Sequence, residues 1–171
     1  SIWPDASNPD TSSPWSWNFN FPNETGYYQF YSIAVDNATN TETSPENADA
    51  SCYYNPSPTQ ANEVPANSSV KVNIIPLLNV TVDDDEMLTA YWLGNSSGMW
   101  TLFATNNSID TSSGAVGIIQ TNINFSSWGT TYWWSVNVTD GTSWSNATYH
   151  FTTNFLSNIN NPNPANESND Q

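Results

Sequence analysis

In the run TYWWSVNV, residues 131–138, the side chains Tyr132, Trp134, Val136 and Val138 fall on one parity. After the turn-forming TDGTS, the run WSNATYHF puts Ala147, Tyr149 and Phe151 on one parity as well. Apolar residues at every second position are what a pleated strand with one buried face requires, and they leave no room for a helix period. The same signal recurs upstream. VKVNI offers Val70, Val72 and Ile74 inward, LLNVTV offers Leu78, Val80 and Val82, and MLTAYWLG, MWTLFAT and AVGIIQTNINF supply three further runs between turn-rich punctuation. Seven short strands closely spaced in this way predict an all-β sandwich of the immunoglobulin-like kind over residues 70–153.

The leading residues read differently. Trp15, Trp17, Phe19 and Phe21 alternate with polar residues, which predicts a strand with an aromatic face. Beyond the turn PNETG, a second strand is expected to carry Tyr28, Phe30, Ser32 and Ala34 on one face and Gln29, Tyr31, Ile33 and Val35 on the other. With at most one more strand before residue 55, residues 1–54 amount to the closing part of a sandwich whose opening strands are missing. Such a sheet leaves its aromatic face in water and an edge unpaired. The missing strands are expected from another stretch of polypeptide, either elsewhere in a longer chain or in a neighbouring subunit. Trp15, Trp17, Tyr31, Ile33 and Val35 are the residues expected in that contact.

Residues 55–69, rich in Pro and Asn, read as a linker stiffened by proline. Residues 154–171 read as a second linker or the opening of a further repeat, because NPNPANES there resembles VPANSS at 64–69. The chain is thus expected to hold a partial domain, a linker, one complete sandwich and a second connecting segment.

Charge narrows the partners. Lys and Arg together number 1 against 16 Asp and Glu, for a formal net charge of -15. A surface so short of bases repels phosphate backbones and anionic lipid, which argues against nucleic-acid and membrane-surface binding. No run of about 18 apolar residues is present to insert into a bilayer, and any export signal or anchor is expected outside this stretch. Cys52 is the only cysteine, so no internal disulfide framework exists, and it is expected as a small apolar strand residue or as one half of an intermolecular bridge.

GYYQFYSIAVDNATN, with Tyr27, Tyr28, Phe30, Tyr31, Ser32, Ile33, Ala34, Asp36 and Asn37, resembles the penultimate strand and turn of immunoglobulin-like repeats in archaeal cell-surface proteins. The blocks LLNVTVDDDEMLTAYWLGNSSGMWTLFAT and NFSSWGTTYWWSVNVTDGTSWSNATYHFTT resemble the fibronectin type III-like repeats found beside them. They depart from that pattern where Asp83, Asp84, Asp85 and Glu86 replace a turn that usually holds Pro and Gly. The resemblance implies tandem β-sandwiches, the first incomplete, at an extracellular cell surface. It implies a structural role in a filament or coat, with other copies of the chain or neighbouring repeats as partners, or alternatively an adhesion or carbohydrate-binding module of a larger surface protein. Fold alone does not choose between these.

Asn-x-Ser/Thr sequons occur at Asn23, Asn37, Asn67, Asn79, Asn95, Asn106, Asn124, Asn137, Asn146 and Asn166. Asn79, Asn137 and Asn146 fall on the outward parity of their strands, where a covalent N-glycan would fit, although a polar Asn faces outward in any case. No cofactor is expected. Asp83, Asp84, Asp85 and Glu86 are a weak calcium candidate, since four consecutive acids lack the alternating spacing that wraps one ion, and a plain solvated turn is the expected reading. His150 lies between Tyr149 and Phe151 on the outward parity. With one His and one Cys in the chain, the parts of a zinc site or a nucleophilic triad are missing, and no catalytic residue is assigned. Lys71 is expected to point outward, which argues against a buried isopeptide crosslink. Trp128, Trp133 and Trp144, on outward or loop parity, are the residues on which a sugar ring would stack.

Overall fold

The computed structural model describes residues 11–14, 16, 18–21 and 25–156. Among these every regular element is a strand, ten in all. The chain divides into two compact units, Ser1–Pro56 and Ser57–Gln171.

The second unit contains β3 (Thr59–Val64), β4 (Ser69–Val72), β5 (Leu77–Asp83), β6 (Leu88–Gly94), β7 (Thr101–Ile109), β8 (Val116–Thr121), β9 (Thr131–Thr139) and β10 (Trp144–Thr153). They form two sheets, ordered β3-β5-β8 and β4-β10-β9-β6-β7. All neighbours are antiparallel except β4 and β10, which run parallel. The expected alternation is obeyed most fully at the centre. Leu78, Val80 and Val82 of β5 are fully buried, as are Ala90 and Trp92 of β6 and Trp134, Val136 and Val138 of β9. Inner faces of two sheets supply this core, and the outcome is an all-β, sandwich-like fold. At its middle the Trp92 and Trp134 rings stack at 5.8 Å and 10°. Phe125 seals one end, 4.7 Å from the Tyr132 ring and 5.6 Å from the Phe151 ring.

Two amides close the open sides between the sheets. Asn106 Oδ1 on β7 accepts the buried indole N–H of Trp92 at 2.7 Å and the Gln120 Nε2 of β8 at 3.1 Å. On the opposite side Gln60 Nε2 of β3 donates to the Ser145 carbonyl of β10 at 2.8 Å. A buried indole N–H left unpaired costs free energy, so Asn106 lets Trp92 sit in the core at little penalty. Gly94 ends β6 where backbone and ring meet: a Cβ there would come within 2.9 Å of both Phe125 Cζ and Asn122 Nδ2.

Three expectations change. Residues 55–69 are not simply a linker, because β3 occupies Thr59–Val64 and pairs with β5. Its prolines bracket an edge strand, with Pro58 and Pro65 both buried, a placement proline tolerates because it donates no ladder hydrogen bond. The strand was illegible because TQANEV carries little apolar signal, and its register breaks between Ala61 and Val64, where Asn62 has a φ of 55°. Val70 is 67% exposed rather than inward. Lys71, at a φ of 60°, interrupts the pleat so that Val72 packs against the core and Val70 does not.

The first unit differs most from its expectation. Its described strands are β1 (Gly26–Phe30) and β2 (Ala50–Tyr54), an antiparallel pair with Tyr28 opposite Cys52. Residues 18–21 form no strand, although their aromatics still pack on this sheet, and Trp15 and Trp17 lie outside the described residues. β1 also stops at Phe30, so Tyr31, Ile33 and Val35 are exposed residues of an irregular ribbon rather than one face of a continuous strand. The cause is local. The Asp49 carboxylate accepts both the backbone N–H and the hydroxyl of Ser32, at 2.7 and 3.1 Å, taking over where a strand partner would sit. Further on, Val35 bridges Thr41, and Asp36 Oδ1 accepts the N–H groups of Ala38 and Asn40 in the turn between them.

Replacing Trp92 by Ala empties the middle of the core and leaves Asn106 Oδ1 with the Gln120 amide as its one donor. The expected loss is about 3–5 kcal/mol in urea denaturation followed by near-ultraviolet circular dichroism. A loss under about 1 kcal/mol would contradict the assigned core.

Candidate functional site

Burying one parity of β6, β9 and β10 dictates what the opposite parity shows to solvent, and here it shows aromatic rings. On the outer face of the five-stranded sheet Trp133 of β9 is 40% exposed and stacks on His150 of β10 at 4.4 Å, its direct cross-strand partner. Further along the same face Trp144 of β10 is 52% exposed and stacks on Tyr91 of β6 at 5.8 Å. Because β9 lies between β6 and β10, this second pair meets above β9, beside Asn137. Leu93 and Leu102, directly opposed on β6 and β7, carry apolar surface to one side of the two aromatic stations, level with Ser135 of β9. Trp128 is exposed in the β8–β9 connection. The three tryptophans expected to be accessible are accessible. Tyr91 was missed, although its parity opposite to the buried Ala90 and Trp92 was the available signal.

The first unit presents another aromatic face. Phe21 stacks on Tyr54 at 4.5 Å, Phe19 lies 5.3 Å from Phe30, and Tyr28 lies 5.0 Å from Phe21. All five rings are half-buried, and none of the described residues of this unit is buried. Cys52 lies on that face, half-buried, and carries a free thiol.

The sequons divide by burial. Asn37, Asn67, Asn124 and Asn146 are exposed, whereas Asn79, Asn95, Asn106 and Asn137 are half-buried, and Asn23 and Asn166 lie outside the described residues. Asn95 Oδ1 accepts the Trp133 backbone N–H at 2.8 Å, Asn67 Oδ1 accepts that of His150 at 3.1 Å, and Asn137 Oδ1 accepts the Ser135 hydroxyl at 3.1 Å. The amide oxygen of Asn79 is buried without a partner. Several of these asparagines therefore serve the fold's own hydrogen bonding, which a tripeptide motif does not reveal.

The acidic turn Asp83–Glu86 separates its side chains. Asp83 and Asp85 are exposed while Asp84 and Glu86 are half-buried, and no group of three or more His, Cys, Asp or Glu is gathered to hold a metal among the described residues. Burial pushes Asp84 up to about 6, with the charges of Asp85 and Asp140 adding to the rise and the Asp85 N–H opposing it. One of its oxygens is buried without a partner. Lys71 is exposed, as expected.

No protein-family model matches the chain, and no curated protein matches it either.

The folded state holds the Asp84 proton more tightly than the unfolded chain does. Its stabilising contribution is complete below about pH 3.8 and is lost as pH rises through about 6. Asp84→Asn keeps the acceptor for the Asp85 N–H and removes the charge. Its melting temperature is expected to exceed that of the parent above pH 6, with the gap closing towards pH 4. A gap independent of pH would show that Asp84 ionises freely.

Proposed function

We propose that the chain is a structural repeat of an extracellular, N-glycosylated filament or surface coat, in which the first unit is completed by β-strands from an adjacent polypeptide. The observation that carries this reading is the state of that unit. Five half-buried aromatic rings sit on a two-stranded sheet in which no described residue is buried. Two strands are marginal in water. Fully burying rings of this kind contributes about 1.5 to 3 kcal/mol apiece, and strand addition supplies main-chain hydrogen bonds along a sheet edge. Repeated head-to-tail without closing, such a contact builds a fibre.

Three features of the second unit support its reading as an immunoglobulin-like or fibronectin type III-like sandwich. The order β3-β5-β8 against β4-β10-β9-β6-β7 matches the division of strands in immunoglobulin folds of the kind with an extended second sheet. Tyr132, near the start of β9, accepts the Ser127 N–H on its hydroxyl at 2.9 Å, in the manner of a tyrosine corner. Two residues later, where antibody domains place the second cysteine, stands Trp134, and the buried Trp92 of β6 packs on it. The stack lies within one sheet, between β6 and β9, and faces Val80 of β5 across the core.

A second reading rests on the outer-face aromatics. Trp133 and Trp144, exposed on one sheet face, suit the stacking of sugar rings in an adhesion or carbohydrate-binding module.

Electron microscopy of native material is expected to show a regular fibre with a domain-sized repeat. Phe30→Asp should abolish assembly while the near-ultraviolet signal of the Trp92–Trp134 stack persists, and assembly unchanged by Phe30→Asp removes strand complementation. Retardation on a polysaccharide gel that is lost in Trp133→Ala favours the second reading.

A further inference from the structure

Asn137-Val138-Thr139 and Asn146-Ala147-Thr148 are chemically equivalent sequons, and the fold sets their asparagines directly opposite one another on β9 and β10. Opposed Cα atoms in an antiparallel pair stand about 4.5–5.5 Å apart. Two branched sugars rooted so close together on one sheet face exclude each other, so at most one of the pair is modified in any molecule.

The surroundings choose which. Asn137 is half-buried, flanked by Asn146 on one side and by Tyr91 on the other. The hydroxyl its sequon needs belongs to Thr139, which is buried and committed to the β9–β10 turn: it donates to the Ser143 carbonyl at 2.7 Å and accepts the Gly141 N–H at 3.0 Å. Asn146 and Thr148 are both exposed. Asn146 also follows Trp144 by two residues on the same strand, hence on the same face, and the Trp144 ring is stacked on Tyr91 with half its surface open. An aromatic surface of that kind accepts the apolar face of a sugar. At this level β9 is the one strand paired with β10 among the described residues, since β4 joins it at Phe151 and Thr153.

We propose that Asn146 is the N-glycan site of the outer sheet face, that its first sugar rests on the Trp144–Tyr91 pair, and that Asn137 stays unmodified. The proposal rests on the reading that the chain is N-glycosylated. In the transfer, Asn146 Nδ2 forms a bond to the anomeric carbon of an oligosaccharide activated through an anomeric diphosphate. The bond from that carbon to the diphosphate oxygen breaks, the diphosphate departs with the electron pair, and one amide proton is released. The sugar then occupies one of the two aromatic stations otherwise open to a foreign glycan.

Glycopeptide mass spectrometry of the native protein tests this, with Asn37 and Asn124 as references because each has its asparagine and its sequon hydroxyl exposed. The expected result is sugar on Asn146 and none on Asn137. Sugar on Asn37 or Asn124 with a bare Asn146, or sugar on Asn137, overturns the proposal and leaves the glycosylated reading standing. Unmodified asparagine at every sequon overturns both. Enzymatic removal of the sugar is expected to speed oxidation of Trp144 by N-bromosuccinimide, and an unchanged rate overturns the resting place on the aromatic pair.

Discussion

The Trp92–Trp134 stack is the contact on which the second unit depends. It joins the two central strands of the five-stranded sheet, β6 and β9, and its rings fill the space against Leu78, Val80 and Val82 of the facing sheet. Indoles of that size fit only where the sheets are held at a set separation, and the Asn106 and Gln60 amides hold it from either side. Inter-sheet hydrogen bonds and aromatic packing here do what a covalent crosslink does in small extracellular sandwiches. With one cysteine in the whole chain, and that one outside this unit, cohesion rests on burial and on the inter-sheet hydrogen bonds, and it absorbs the cost of a Trp134 indole N–H buried without a partner.

From that core the outer surface follows as a geometric consequence. Side chains alternate along a strand, so anchoring Tyr132, Trp134 and Val136 inward commits Trp133, Ser135 and Asn137 to the opposite face. The exposed rings of that face are not surplus hydrophobicity. Each is paired, Trp133 with His150 and Trp144 with Tyr91, which keeps them ordered at modest entropic cost while leaving a surface for a partner or a sugar. The first unit has comparable aromatic content and the opposite outcome. Its rings make a cluster on one sheet with no second layer of described residues, so none reaches full burial, and that contrast motivates the reading of the chain as part of an assembly.

Residues that bear on function were legible to different degrees. Trp133 and Trp144 could be placed on the outer face from parity alone, and so could Asn79, Asn137 and Asn146. Which asparagines remain available could not be read in the same way. Asn106 looks like any other sequon in the sequence, yet its carbonyl receives the indole of a residue fourteen positions away and an amide from the other sheet. Asp84 likewise appears as one acid among four, and only its burial beside Asp85 and Asp140 separates it from the others.

The sequence by itself determined the central strands of the second unit and their inward faces, at Leu78, Val80 and Val82, at Trp134, Val136 and Val138, and at Tyr149 and Phe151, because the pleat is a local property of two successive residues and needs no partner to be written into the chain. It also determined the acidic, base-poor surface. Tertiary structure alone decided that Thr59–Val64 is a strand, that β1 ends at Phe30 and that Asn137 meets Asn146 face to face. Those outcomes depend on what lies across from a segment: β5 beside β3, the Asp49 carboxylate at Ser32, and the register of β9 on β10. Pairing across a sheet joins residues distant in the chain, and no local pattern of side chains records the neighbour it will find.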